Sequence, residues 1–298
     1  MSDIHLPGPQ RSAYASLTRA GSDTLAVIRG ARSISALEWL LGLVTHAPDV
    51  VHSGSLRPAD VAWRRRGARF RTPSGRSVFL PGDLTAGARE MYCRNVYLRT
   101  GLRIPTDGWV VDLGANAGLF TVLAAVEGAR VVAVEAQRDF GPEISRLLAL
   151  NWIGPQRVHI ETAFAAAAGP QIPHVGVLAD DERWQTASHA APERPAAVSV
   201  PDLMSRHGID RIGLVKMDIE GSEFSVLHPD SDLSWLSYVD QITMEVHPAF
   251  GDLEQIHRTL LRHRFGVRIT NNEGDPVAAG SSEASYAYCR RLVLPAQH

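Results

Sequence analysis

From Gly108 onward the chain alternates short apolar runs with segments of helix length, and this rhythm constrains the fold more than any other feature. Trp109–Leu113, Val131–Glu135, Val158–Thr162, Leu214–Asp218, Gln241–Val246, Val267–Thr270 and Ala287–Val293 all have strand length and are rich in strand-forming residues. Runs that are apolar throughout mark strands buried on both faces. The spacing therefore predicts a doubly wound α/β fold, a mostly parallel sheet with helices on either side. A chain of 298 residues with 45% hydrophobic and 21% charged residues can bury such a core without disulfides or metal staples.

Charge and cysteine content exclude several classes of function. Thirty Lys and Arg against 32 Asp and Glu give a net charge of -2, without the basic excess of a general nucleic-acid binder. Cys93 and Cys289 are too few and too far apart for a redox pair or a cysteine metal site, and read as thiols in a reduced cytoplasm. The opening MSDIHLPGPQRS has no apolar leader, and no window reaches the 18 or more apolar residues of a membrane span. A cytoplasmic protein with neither a nucleic-acid nor a membrane partner is expected.

The chain before the sheet pattern is organised differently. Residues 1–20 carry no periodicity and read as an arm. Ile34–His46 is helical by its apolar spacing, with Ser35 and Glu38 placed to form a capping box and Pro48 to end it. Residues 49–60 read as a turn-rich connection. A hairpin is expected from Ala68–Thr72 and Ser77–Leu80 around Pro73-Ser74-Gly75. Thr85–Leu98, carrying Glu90, Tyr92, Arg94 and Tyr97, reads as a helix. Residues 1–84 thus form an extension or substrate cap of helix and hairpin, and 85–298 the sheet domain. Residues 170–200, broken by Pro173, Pro192 and Pro195, interrupt the rhythm as a long excursion with room for a short strand. The cap serves equally as a lid or as a subunit contact, so a homo-oligomer stays open.

The densest local signal is VVDLGANAGLF at residues 110–120. Asp112 stands at the carboxyl end of a strand. Gly114 and Gly118 bracket a tight turn through Ala115 and Asn116, and a helix begins near Leu119. No Lys-Ser/Thr pair follows Gly118, so this is not a phosphate loop, and Asn116 occupies the place of the second glycine in a dinucleotide fingerprint. A carboxylate before the turn suits a cationic partner, as in the sulfonium cofactor S-adenosylmethionine. Glu135, followed by Ala136, ends the next strand 23 residues on, where an acid can accept from two ribose hydroxyls.

Two further clusters sit at strand ends. In LVKMDIEGSEF, Lys216, Asp218 and Glu220 recur at period two, so three ionisable groups point to one face and need partners, water or a function. In ITMEVHP, Glu245 and His247 do the same one strand later.

Together VVDLGANAGLF, VVAVEA, LVKMDIEGSEFSVL and ITMEVHP resemble the FkbM-type S-adenosylmethionine-dependent methyltransferases, over roughly residues 85–295. The resemblance implies a class I methyltransferase, Rossmann-like fold with a seven-stranded sheet whose last strand is antiparallel. It also implies methyl transfer to a hydroxyl of a small molecule such as a sugar or secondary metabolite. Asp112, Gly114, Ala115, Asn116, Gly118, Glu135 and Ala136 would line the cofactor pocket, with Glu90 contributing from the preceding helix. Lys216, Asp218, Glu220, Glu223, Glu245 and His247 fall on the downstream pattern. Gln137 stands where the family usually has proline.

Removing the acceptor proton assigns His247 as general base, since an imidazole of ordinary pKa near 6.5 accepts protons close to neutrality. Glu245 or Asp218 would orient it, and Lys216 would pair with them or stabilise an oxyanion. Asp218, Glu220, Glu245 and His247 also offer donors for Mg²⁺ or a softer divalent ion. Methylation at nitrogen or carboxylate, and a non-catalytic cofactor-binding or assembly protein, are the competing readings.

Overall fold

The helix Ser33–Thr45 and the hairpin of Ala68–Arg71 (β1) and Ser77–Leu80 (β2) share an aromatic core. Trp63 donates its indole N–H to the Ser35 carbonyl at 2.8 Å and meets Phe70 edge-on, while Phe70 stacks on Tyr92. The computed structural model describes residues 21–168 and 195–292, and the chain divides into two compact units after Asn95. Residues 1–20 and most of the 170–200 excursion lie outside the described residues.

Four expectations for the first unit change. The capping box does not form: the helix starts one residue before Ile34, which draws Ser35 inside it, and the Ser35 hydroxyl instead accepts from the Arg69 N–H at 2.9 Å. The first helix ends at Thr45 as expected, but the connection after it is helical rather than turn-rich and includes Pro48. Pro48 lies in the first turn of a second helix, Ala47–Ser53, where the missing N–H costs nothing, and Arg57–Asp60 adds a further turn of helix. Between Thr85 and Leu98 only a π-helical turn, Arg89–Cys93, is present. Gly87 and Asn95 both have positive φ and break the helix on either side. Arg89 pairs with Asp60 and Asp23, so this turn, Glu90 included, belongs with the N-terminal unit, and the chain divides later than residue 84.

The second unit carries the sheet. Its strands are Trp109–Leu113 (β3), Arg130–Glu135 (β4), Val158–Ala165 (β5), Ala196–Val198 (β6), Ile212–Met217 (β7), Gln241–Glu245 (β8), Phe265–Thr270 (β9) and Tyr286–Arg291 (β10). They lie in the order β6-β5-β4-β3-β7-β8-β10-β9. The pairings from β6 across to β8 are parallel, and β10 runs antiparallel to both β8 and β9. This is the expected class I arrangement with its last strand reversed. An eighth, three-residue strand, β6, extends the edge. The central strands bury almost every residue, Trp109 through Leu113 without exception, as their unbroken apolar runs require.

Helices Leu119–Glu127, Phe140–Leu150, Val200–His207 and Leu253–Arg262 connect the strands. The amphipathic pattern of the last buries Leu253, Ile256 and Leu260. Among the described residues no helix is long and apolar enough to cross a membrane.

Strand order reverses at β3, with β4 on one side and β7 on the other. In such sheets the crevice beyond the strand ends at this point takes the ligand. Here it is framed by the turn after β3 and the loop after β7, which touch. Gly114 has φ +75°, and a Cβ there would lie 1.8 Å from the Asp218 carbonyl oxygen. G114A is therefore expected to push the two loops apart and lower the melting temperature clearly, whereas G141A, at a position with open space around it, is not. Differential scanning calorimetry of both variants checks this, and equal melting temperatures would refute the close-approach account.

Candidate active site

At the base of the crevice lies a buried ion pair. Asp112 has no exposed surface, and its Oδ2 accepts from the Thr121 hydroxyl at 2.6 Å. Lys216, also buried, places Nζ 3.2 Å from Asp112 Oδ1 and donates to the Gly114 carbonyl at 2.7 Å. Burial alone would lower the Lys216 pKa, but Asp112 and Asp218 carry it above its ordinary value. The ammonium thus stays charged. Asp112 was expected to touch the cofactor; a carboxylate with no exposed surface instead acts through Lys216, which fixes the glycine turn. The same pairing makes Lys216 a brace of that turn.

The turn itself is shaped by backbone needs. Gly114 and Ala115 both donate N–H to the Val134 carbonyl, tying the turn to β4. Asn116, exposed and at φ +50°, accepts from the Ala117 N–H through its side chain, and Gly118 at φ +84° precedes the helix Leu119–Glu127. Glu135, at the end of β4, accepts the Asn116 N–H at 2.7 Å on one oxygen and the Gln137 N–H at 2.8 Å on the other. Burial raises its pKa, opposed by those two N–H groups. Ala136 follows, half-buried.

The second wall lies beyond β7 and β8. Both strands stop short of the predicted clusters, β7 at Met217 and β8 at Glu245. Lys216, Asp218 and Glu220 therefore do not form a single strand face: Lys216 is buried, Asp218 half-buried, and Glu220, at φ +52°, turns outward. Asp218 donates its N–H to the Leu113 carbonyl at 3.0 Å, locking its loop to the end of β3. Its Oδ2 lies 3.7 Å from Lys216 Nζ and accepts from the Tyr97 hydroxyl at 2.8 Å. The same hydroxyl lies 3.1 Å from Glu245 Oε2.

Tyr97 is the site residue that sequence reasoning missed. Its segment carries no motif, and only the fold sets its ring between Phe120 and Tyr286. Burial, with Asp218 and Glu245 close by, pushes its phenol well above the ordinary range, so it remains a donor. One proton cannot serve two carboxylates at once. Burial and repulsion from Asp218 accordingly raise Glu245 to about 7.

His247 is engaged elsewhere. Its Nδ1 lies 2.8 Å from Glu223 Oε1, which also accepts the His247 backbone N–H at 2.9 Å, and its Nε2 lies 3.5 Å from Glu220 Oε2. Glu223 is fully buried, and its other oxygen accepts the Gly221 N–H at 2.9 Å. The hydrogen bond to Glu223 raises His247 to about 9 against the desolvation that would lower it. Near neutrality it is a cation, which removes the basis for making it the general base. Asp218, Glu220 and His247 each set one donor atom within 4.8 Å of the others; Glu245 is not in this group. Glu90 belongs to the N-terminal unit and the other residues of the predicted set to the second.

The family model for the methyltransferase FkbM domain matches residues 112–267, just over half of the chain and the stretch that holds the glycine turn, Glu135 and both carboxylate loops. The chain belongs to this family. It is an S-adenosylmethionine-dependent methyltransferase. Among its relatives is the 31-O-demethyl-FK506 methyltransferase FkbM of Streptomyces tacrolimicus, 27% identical over 247 residues, which cover 71% of this chain and 93% of the relative. Another is methyltransferase sdnD of Sordaria araneosa, 25% identical over 206 residues, covering 58% and 79%. The crystal structure of methyltransferase FkbM from Methylobacillus flagellatus KT aligns with a TM-score of 0.46 at 14% identity, over 93% of this chain and 60% of that one. Tyr97 lies outside the residues matched by the family model.

The FkbM-domain crevice fits its cofactor. Glu135 sits beside the turn at a strand end with acceptor capacity left on each oxygen, and the turn from Gly114 to Gly118 leads into a helix N-terminus.

K216M should destabilise the protein by about 3–5 kcal/mol, because it leaves the buried Asp112 carboxylate without its counter-ion. D112N/K216M should recover part of the loss in urea denaturation, and a double variant as unstable as K216M would contradict the ion-pair assignment. The His247 pair with Glu223 carries a pH signature in chelator-treated protein. A pKa raised from 6.5 to about 9 contributes stability that is full below pH 6.5 and lost as pH rises through about 9. The melting-temperature gap between wild type and H247Q should narrow between pH 6 and pH 10; a constant gap would rule the linkage out.

Proposed function

We propose that this chain transfers the methyl group of S-adenosylmethionine to a hydroxyl oxygen of a small molecule in the cytoplasm, with Glu245 as the proton acceptor. The observation that carries the reading is the join between the two walls of the crevice. The Asp218 loop is hydrogen-bonded to the end of β3 and packed on Gly114, so the Asp218–Tyr97–Glu245 cluster stands beside the cofactor turn. The name of the Streptomyces tacrolimicus relative, a 31-O-demethyl-FK506 methyltransferase, supports a hydroxylated metabolite as acceptor. Free thiols at Cys93 and Cys289 support a reducing compartment.

When bound, S-adenosylmethionine supplies a methyl made electrophilic by the sulfonium. The chain's own task is to orient the acceptor, exclude water and take a proton. Glu135 and the turn from Gly114 to Gly118 hold the nucleoside and amino-acid portions. Tyr97 keeps its proton and donates to Asp218 or Glu245, which sets both carboxylates in place. Glu245 accepts the acceptor's hydroxyl proton as the oxygen is alkylated. His247, paired with Glu223, holds the neighbouring loop.

Calorimetric titration with S-adenosylhomocysteine should show binding that E135A abolishes. Radiolabelled S-adenosylmethionine, offered with a panel of hydroxylated macrolactones and glycosides that includes 31-O-demethyl-FK506, should label an ether oxygen. With that acceptor E245Q should lose roughly 10²–10⁴-fold in turnover, the range for a general base, with S-adenosylhomocysteine affinity nearly unchanged. Labelling at nitrogen, or full turnover in E245Q, would overturn the assignment.

A further inference from the structure

His247 presents an arrangement that the methyl-transfer chemistry does not use. Its Nδ1 faces a carboxylate with no exposed surface, Glu223, at 2.8 Å, and that carboxylate is itself held by the Gly221 and His247 backbone N–H groups. The ring thus presents Nε2 as the nitrogen left for a further partner. Nε2 is directed toward Glu220, and Asp218, Glu220 and His247 bring one donor atom each within 4.8 Å of one another. Asp218 Oδ2 is taken by Tyr97, which leaves Oδ1 for another partner. A histidine oriented by a buried carboxylate behind it is how proteins fix an imidazole that ligates a metal.

We propose that Asp218, Glu220 and His247 Nε2 bind a first-row divalent transition ion, with Glu223 as the residue that orients His247. The imidazole nitrogen favours ions such as Zn²⁺ over the oxygen-seeking Ca²⁺ and Mg²⁺. Glu245 is left out of the ligand set because its carboxylate is not among the three donor groups that lie within 4.8 Å of one another. Nε2 binds as the unprotonated nitrogen while Nδ1 keeps its hydrogen bond to Glu223, and any proton on Nε2 passes to solvent. Three protein ligands leave coordination positions open, the pattern of sites where a metal acts on a bound hydroxyl or water. The proposal does not depend on methyl transfer.

The test uses the full chain, stripped with chelator and titrated calorimetrically with Zn²⁺, Mn²⁺ and Ca²⁺ alone, with Mn²⁺ followed in parallel by electron paramagnetic resonance. One site is expected, with affinity falling from Zn²⁺ to Mn²⁺ to Ca²⁺. H247A should abolish it, and E223Q should weaken it about 10–100-fold. Glu220 is 77% exposed in its side chain, so E220A keeps the fold and should still weaken Zn²⁺. Melting curves and S-adenosylhomocysteine titration of every variant separate a lost metal site from a lost fold or a lost cofactor site. No Zn²⁺ binding by folded wild type, equal affinity in H247A or E220A, or the same affinity for Ca²⁺ as for Zn²⁺ would each overturn the proposal.

Discussion

The site rests on one buried ammonium. Lys216 reaches from the middle of the sheet to Asp112 and to the carbonyl of Gly114, so that β3, β7 and the turn between strand and helix are fixed by a single charge. Such a group is costly to bury, and it persists because Asp112 compensates its charge and the turn supplies a carbonyl acceptor. The Asp218 loop then follows by close contact. Its N–H is bound to Leu113 and its carbonyl fills the space that a side chain on residue 114 would need.

Above this base the crevice is crowded with carboxylates, and their differing partners give them different properties. Burial and repulsion from Asp218 outweigh the Tyr97 hydrogen bond and raise Glu245 to about 7, so it can take up a proton near neutrality. Glu223 accepts backbone N–H groups on both oxygens, and its hydrogen bond raises His247. Residue types at neighbouring strand ends thus acquire distinct roles from burial and contacts, although the sequence presents them as equivalent acids.

Much of the fold was legible because its signals are local or periodic. All seven strands predicted for the sheet exist to within a few residues, since an apolar run of strand length is a local signal. The turn from Gly114 to Gly118 was legible because the positive φ of its glycines is a local backbone demand, whereas the approach of the Asp218 carbonyl to Gly114 was not. The capping box at Ser35 failed because a distant strand competed for the hydroxyl, and the helix over 85–98 failed because Gly87 and Asn95 adopt left-handed conformations. The period-two reading of Lys216, Asp218 and Glu220 failed because the strand ends at Met217, beyond which alternation no longer assigns a face.

By itself, then, the sequence determined the doubly wound sheet, the cofactor turn and the set of ionisable residues at its mouth, because these follow from hydrophobic periodicity and from the conformational freedom of glycine. Tertiary structure alone decided what each of those residues does. Asp112 turned inward because Lys216 lies beside it in register across β3 and β7, and Tyr97 joined Asp218 to Glu245 across more than a hundred residues of chain. Protonation state and pairing depend on desolvation and on charges a few ångströms away, and these distances exist only once the chain has folded.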